Sequence, residues 1–293
     1  MTQKATTWIK EKKDQPFFLY FATTNIHHPF TPAPRFVGTS QAGIYGDFIH
    51  ELDWIVGEVT KTLAQEGLTD NTMILLTSDN GGMINVSGQK AVAKGHQLNG
   101  DLLGYKFDAW EGGHRVPFIA KWPKNIKKNA TSDQLVCHID FLATMVALTG
   151  QDQSFTEGKN SINILPALVG KPKAPLREEL VLSPVAQKSH LSLRQGKWLY
   201  IPARGGGGFG GRNLGDHGFG GIAAMTYSGH KNSDIKDGVY IKGAPNAQLY
   251  DLDKDVNQTT NLYNQHPEIV KNMKERLAFF QAQIKEKPKK SEQ

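Results

Sequence analysis

The chain has a single cysteine, Cys137, in 293 residues, which excludes an internal disulfide and any multi-thiolate metal centre. No apolar run approaches the roughly 18 to 20 residues needed to span a bilayer. The opening residues, MTQKATTWIKEKKDQ, lack the apolar stretch of a secretory signal. The expectation is a soluble protein with no membrane partner. Positive charge is in modest excess: 34 Lys and Arg against 28 Asp and Glu leave a net +6. From Lys271 onward seven Lys or Arg face three Glu, so most of that excess is a solvated basic tail. The remainder has no interleaved basic and aromatic stripe, and no nucleic-acid partner is expected. No internal repeat is present.

What is there is a globular composition, 39% hydrophobic and 9% aromatic, enough for a sizeable core. Residues 16–22 (PFFLYFA) read as a buried strand. From about Ile44 to Glu66 the apolar positions Phe48, Leu52, Ile55, Val56, Val59 and Leu63 recur at helical spacing, with Asp47, Glu51, Glu58 and Lys61 on the opposite face and Gly67 as the stop. Residues 72–77 (TMILLT) and 116–122 (VPFIAKW) read as further strands, and 139–148 as a short helix closed by Gly150. This alternation predicts an α/β fold with a mostly parallel sheet flanked by helices. Beyond Gly150 the texture changes. Pro166, Pro172 and Pro175 mark a linker-like stretch, followed by short strand candidates at 180–183, 190–194, 197–201 and 248–252 and a helix over 267–285. The expected division is an α/β domain over 1–170 and a smaller α+β domain of antiparallel strands and a terminal helix over 171–293. A glycine-rich segment, 205–221, has no GxxxxGK[ST] ending and reads as a long flexible loop rather than a phosphate cradle.

Three segments carry candidate chemistry. Thr77-Ser78-Asp79-Asn80-Gly81-Gly82 follows a strand and offers a carboxylate and an amide oxygen, which suit a hard divalent cation or, alternatively, an Asx turn. Asn25-Ile26-His27-His28-Pro29 places a histidine where it can donate to an anion or act as an acid. Gly104 to Pro117 (GYKFDAWEGGHRVP) gathers Lys106, Glu111 and Arg115. Lys106 supplies a compact three-donor charge suited to an oxyanion, while Glu111 and Arg115, four apart, can pair with each other.

In order and spacing these pieces, with HIDFLATMVALTG and QLYDLDKDVNQTTNLY further on, resemble the type I sulfatases of the alkaline phosphatase superfamily. The resemblance implies an alkaline-phosphatase-like fold whose N-terminal part is missing here. It implies hydrolysis of sulfate monoesters of a sulfated carbohydrate or aryl ester. It makes Asp79 and Asn80 ligands of Ca2+, and His27 and Lys106 the catalytic residues that bind the sulfate. Glu111 and Arg115 then hold their loop in place. Two-metal phosphodiesterases of this superfamily tend to carry histidine after the aspartate, and Asn80 with its amide oxygen favours a sulfatase.

The sequence also departs from the family. The nucleophile, a formylglycine made from cysteine or serine in Cys-x-Pro-x-Arg, has no match here. Cys137 is followed by His138, Ile139 and Asp140, and Thr31-Pro32-Ala33-Pro34-Arg35 reads as a proline-rich loop. An upstream Asp-Asp metal pair is equally absent. The expectation is the C-terminal portion of a sulfatase, inactive by itself and a weak calcium binder. The alternatives are a non-catalytic remnant, an anion-binding module, or a phosphodiesterase or phosphonate hydrolase of the same superfamily. Residues 83–101 and the glycine-rich segment are expected at the pocket mouth. Trp110, Phe209 and Phe219 are candidates for stacking on a substrate ring, with core or loop packing the more ordinary role. His28, Cys137 and His138 read as structural or stay unassigned. Export to the periplasm or cell exterior is what the resemblance implies.

Overall fold

A computed structural model describes residues 1–151, 160–170, 172–184, 188–209 and 219–285. Residues 210–218 of the glycine-rich segment and the end of the basic tail, 286–293, lie outside the described residues. In chain order the helices are α1 (Thr2–Lys12), α2 (Ile44–Gln65), α3 (Val86–Ala93), α4 (Glu111–His114), α5 (Asp140–Leu148), α6 (Leu165–Val169), α7 (Met225–Ser228) and α8 (Pro267–Lys285). The strands are β1 (Ile74–Thr77), β2 (Phe118–Lys121), β3 (Glu179–Leu182), β4 (Ser192–Gln195), β5 (Trp198–Ile201), β6 (Ile235–Lys236), β7 (Val239–Tyr240) and β8 (Gln248–Asp251). They fall into two compact units, each discontinuous in sequence. The first comprises Met1–Pro29, Phe48–Thr77 and Pro117–Glu178; the second comprises Phe30–Asp47, Ser78–Val116 and Glu179–Gln293.

In the first unit β1 pairs antiparallel with β2, Ile74 opposite Lys121 and Thr77 opposite Phe118. This corrects the expected parallel sheet. Every strand pair among the described residues is antiparallel. Alternation of strand and helix in a sequence carries no information about which strand accepts the other's hydrogen bonds, and that ladder alone fixes direction. The aromatic run 16–22 is a second correction: it enters no ladder, and Phe18 and Tyr20 are 74% and 83% exposed. Apolar content reported a preference for burial there, whereas a strand also needs a partner for its backbone. Helices α1, α3, α4, α6 and α7 are not among those expected from the sequence. In α1, Ala5 and Ile9 are buried four apart, and Trp8 meets Phe17 edge-on at 5.5 Å, so a helix rich in lysine is held by one narrow apolar stripe.

Helix α2 follows its amphipathic pattern closely, burying Phe48, Ile55 and Leu63. Its first-turn Asp47 accepts hydrogen bonds from Gly38 N at 2.9 Å and Ser40 N at 2.8 Å, fastening the preceding loop. The CHID segment is anchored by Asp140, fully buried at the start of α5. Its carboxylate accepts from Cys137 N at 2.8 Å and Ile162 N at 3.1 Å and pairs with the Arg177 guanidinium.

The second unit is built on the four-stranded antiparallel sheet β3-β4-β5-β8. Leu193, Tyr200 and Leu249 on one side of it pack with Val270, Met273 and Leu277 of α8. Leu199, Ile201, Tyr250 and Leu252 pack with Leu103, Ala109 and Trp110. The second cluster matters for function, because those last three residues belong to the loop that carries Lys106. Arg276 on α8 holds Glu179 of β3 through a two-pronged pair at 2.7 to 2.9 Å.

Asp140→Ala removes the carboxylate that, among the described residues, pairs with an Arg177 side chain that is itself 11% exposed. The expected loss of unfolding free energy is about 3 to 5 kcal/mol, read from urea denaturation. A change below 1 kcal/mol would show the pair to be dispensable.

Candidate functional site

The motif loops of the second unit are joined through their backbones. Gly81 N donates to Gly113 O at 3.0 Å, and Lys106 N donates to Gly82 O at 2.9 Å. Asn99 bridges them as well: its Oδ1 accepts from Gly82 N at 2.7 Å and its Nδ2 donates to Gly104 O at 2.9 Å. The approach is so close that a Cβ at Gly81 would lie 1.8 Å from Gly112 O. Only glycine permits it. The Ser-Asp-Asn-Gly and Lys-x4-Glu-Gly-Gly pieces, some 25 residues apart in sequence, are therefore one local construction.

On the first of these loops Ser78 Oγ donates to Asn80 O at 3.0 Å, and Asn80 Nδ2 donates to Gly81 O at 2.9 Å. The second bond orients the Asn80 amide and leaves Oδ1 as its acceptor end. Asp79 is exposed. In the first unit, the end of β1 that leads into this loop is held where Thr77 Oγ1 meets His138 Nε2 at 3.0 Å, with the imidazole stacked 5.6 Å from Phe141.

On the second loop Lys106 is half-buried. Its ammonium lies 5.4 Å from the Phe107 ring centroid, and no carboxylate among the described residues pairs with it. The neighbouring charges are in the opposite condition. Glu111 is buried, and its Oε2 meets Arg115 at 3.1 Å and Arg194 at 3.5 Å. The Glu111 backbone N–H donates to Gln258 Oε1 at 2.8 Å. His114 donates toward Ala109 O at 3.2 Å, and burial pulls its pKa below the usual histidine value. Trp110 Nε1 donates to Gln248 Oε1 at 2.9 Å, which also accepts from Tyr250 Oη at 2.7 Å. The Gln-Leu-Tyr-Asp segment of β8 thus supports the lysine loop from below. Asn99, Gln248 and Gln258 had escaped the reading of the sequence; the last two lie within QLYDLDKDVNQTTNLY, but a pattern match does not say which groups its amides will bind.

Asp108 escaped it too. Its carboxylate is buried and accepts from Tyr105 N at 2.8 Å and Gly221 N at 2.7 Å. Both arms of the glycine-rich segment close around it: Ala109 N donates to Gly206 O at 2.7 Å, and a Cβ at Gly220, where φ is +76°, would fall 2.8 Å from the carboxylate. The glycines cradle an anion, and that anion is the protein's own. Burial pushes the Asp108 carboxyl up to about 7 against the pull of the backbone N–H groups.

His27 lies in the first unit. Its ring is exposed, stacks on His28 at 4.5 Å, and its Nδ1 is 2.7 Å from His28 O. A carbonyl oxygen only accepts, so Nδ1 carries the proton and Nε2 is left for an outside group. Among the described residues no three His, Cys, Asp or Glu side chains cluster as a metal site. Asp79 and Asn80 supply oxygen donors of the type calcium prefers, two of the six to eight it takes.

A family model described as Sulfatase matches residues 1–151. An N-acetylgalactosamine-6-O-sulfatase of Bacteroides thetaiotaomicron is 34% identical over 280 residues, 94% of this chain and 49% of that protein. A steryl-sulfatase of Rattus norvegicus is 31% identical over 69% of this chain and 36% of that enzyme. A solved structure described with the metabolism of multiple glycosaminoglycans by Bacteroides thetaiotaomicron superposes with a TM-score of 0.78 at 32% identity, over 96% of this chain and 53% of the other. The chain spans about half the length of the first of these relatives.

The Asp108 carboxyl has an ordinary value of 3.8 and a folded value of about 7, so the folded chain holds its proton more tightly than the unfolded one. Its contribution is complete below about pH 4 and is lost as pH rises through 7. Relative to Asp108→Asn, the wild-type chain should lose up to about 4 kcal/mol of stability between pH 4 and 7.5. Denaturation curves of the two proteins that run parallel across that range would refute the assignment.

Proposed function

Because the chain belongs to the sulfatase family, we propose that it is part of a sulfuric ester hydrolase that removes sulfate from a sulfated glycan. The observation that carries this reading is Lys106. A half-buried ammonium with no acidic partner among the described residues, on a loop pinned through Gly82 and Trp110, is arranged to receive an anion from outside. The relative that covers 94% of this chain acts on a sulfated amino sugar, which favours a saccharide ester over a sterol.

In the mechanism Lys106 binds the sulfate and stabilises the charge that grows on its oxygens and on the departing alkoxide. His27, which the resemblance makes a sulfate-binding residue, keeps Nε2 for an outside group, since Nδ1–H is committed to His28 O. Asp79 and Asn80 would hold calcium, which when bound supplies further positive charge at the sulfate oxygens. Glu111 engages both Arg115 and Arg194 through Oε2, which leaves Lys106 as the cation of this loop without an acidic partner among the described residues. The 293 residues contain no Cys-x-Pro-x-Arg, and the nucleophile must come from elsewhere. An exported location goes with the same reading.

The absence of that motif favours a second reading, in which the chain is an anion-binding module without turnover. One experiment separates them. The 293-residue chain alone should not hydrolyse a chromogenic aryl sulfate. A polypeptide that joins it to a segment with Cys-x-Pro-x-Arg should do so, and Lys106→Ala should lower its kcat/KM by about 10²- to 10³-fold. Full activity in the Lys106→Ala enzyme would overturn the role of the lysine, and no activity in the joined polypeptide would leave the binding module.

A further inference from the structure

We propose that Phe107, Phe209 and Phe219 form an aromatic wall that receives the sugar ring bearing the sulfate, a specificity element that rests on the anion-binding role of Lys106. The two arms of the glycine-rich segment do not merely pass near the lysine loop. Asp108 and Gly207 form an antiparallel bridge, Phe209 N donates to Phe219 O at 2.8 Å, and Gly221 N donates to the Asp108 carboxylate at 2.7 Å. These bonds bring the two phenylalanines around a third. The Phe107 ring is 5.3 Å from Phe209, stacked, and 5.7 Å from Phe219, edge-on, and Phe209 and Phe219 are 5.7 Å apart.

Three facts separate this cluster from ordinary packing. First, Phe209 is 50% exposed, whereas Trp110, three residues beyond Phe107, is fully buried and bonded to Gln248. Trp110 therefore drops out as a stacking residue and Phe209 remains. Second, Phe107 has φ +81°, a left-handed conformation that costs a bulky residue about 1 kcal/mol or more. The chain accepts that cost while Asp108 and the glycine arms hold the ring between the two phenylalanines. Third, the Lys106 ammonium lies 5.4 Å from the Phe107 centroid. A sulfate held on that ammonium carries its own ester group into the space beside the wall. A hexose offers an apolar C–H face of matching width there, with hydroxyls left to point away. Ligand sites commonly combine such aromatic walls with a few fixed polar groups.

The test uses the 293-residue chain and binding rather than turnover, with N-acetylgalactosamine 6-sulfate, a steryl sulfate and inorganic sulfate as probes followed by NMR titration. Phe209→Ala should weaken the sulfated sugar by about three- to tenfold and leave inorganic sulfate unchanged; Phe209→Tyr should restore sugar binding. Lys106→Ala should weaken all three. Equal sugar affinity in wild type and Phe209→Ala, with Lys106→Ala still defective, overturns the wall and spares the lysine. An effect of Phe209→Ala on the steryl sulfate alone overturns the saccharide. A Lys106→Ala chain that binds inorganic sulfate like wild type strikes the underlying reading instead. No detectable sugar binding by the wild-type chain also overturns the wall.

Discussion

The contact between Gly81 and Gly112 is the constraint on which the site depends. With a Cβ 1.8 Å from a carbonyl oxygen excluded, two loops can share backbone hydrogen bonds that would otherwise need a sheet. Those bonds fix Lys106 relative to Asp79 and Asn80 at the level of the main chain. Side-chain rotamers then have only the last few ångströms to decide. The polar groups beneath the contact do similar work at longer range. Asn99 ties Gly82 to Gly104, Gln258 ties Glu111, and Gln248 ties Trp110 to β8 and to the carbonyls of Ala203 and Gly205. Asn99 and Gln248 spend both of their amide ends, which is what makes those buried polar side chains tolerable here.

Charge is distributed with the same economy. Glu111 answers Arg115 and Arg194, Asp251 answers Lys197 at 2.8 Å, and Glu179 answers Arg276. Lys106 has no such partner among the described residues. Asp108 is the inverse case: a buried carboxylate satisfied by backbone N–H groups rather than by a cation. Were it paired with Lys106, the lysine would be neutralised and its loop would lose the glycine arms that stand beside it. Asp108 instead takes the backbone N–H groups of Tyr105 and Gly221, so the two charges of this loop are not spent on each other.

The sequence was most legible where a motif and a local conformation coincide. Helix α2, the short strands β3 to β5 and β8, and helix α8 lie within two residues of their expected bounds, because periodicity and stop signals are local properties. The Glu111–Arg115 pair is present at the spacing that suggested it. Residues 16–22 failed for the complementary reason: an aromatic run states a need for cover and says nothing of a partner. Strand direction failed likewise, being settled between segments about 40 residues apart. Asp108 was invisible because its partner is a glycine-rich segment. Nothing in a run of glycines says which anion its N–H groups will face.

That last point changes the meaning of the glycine-rich segment itself. Composition describes it as a long flexible loop, with no nucleotide-binding signature. In the structure its two described arms are fastened to residues 107–109, one by the Asp108–Gly207 bridge and the other by Gly221 N. Glycine is required there because Gly220 approaches the carboxylate too closely for a side chain and adopts a left-handed φ. Phenylalanine is the one large residue type on those arms among the described positions, and both copies reach Phe107. A segment built only to connect β5 to α7 has no need of either feature. One that must hold two aromatic rings beside a cation, without placing any other bulk there, needs both.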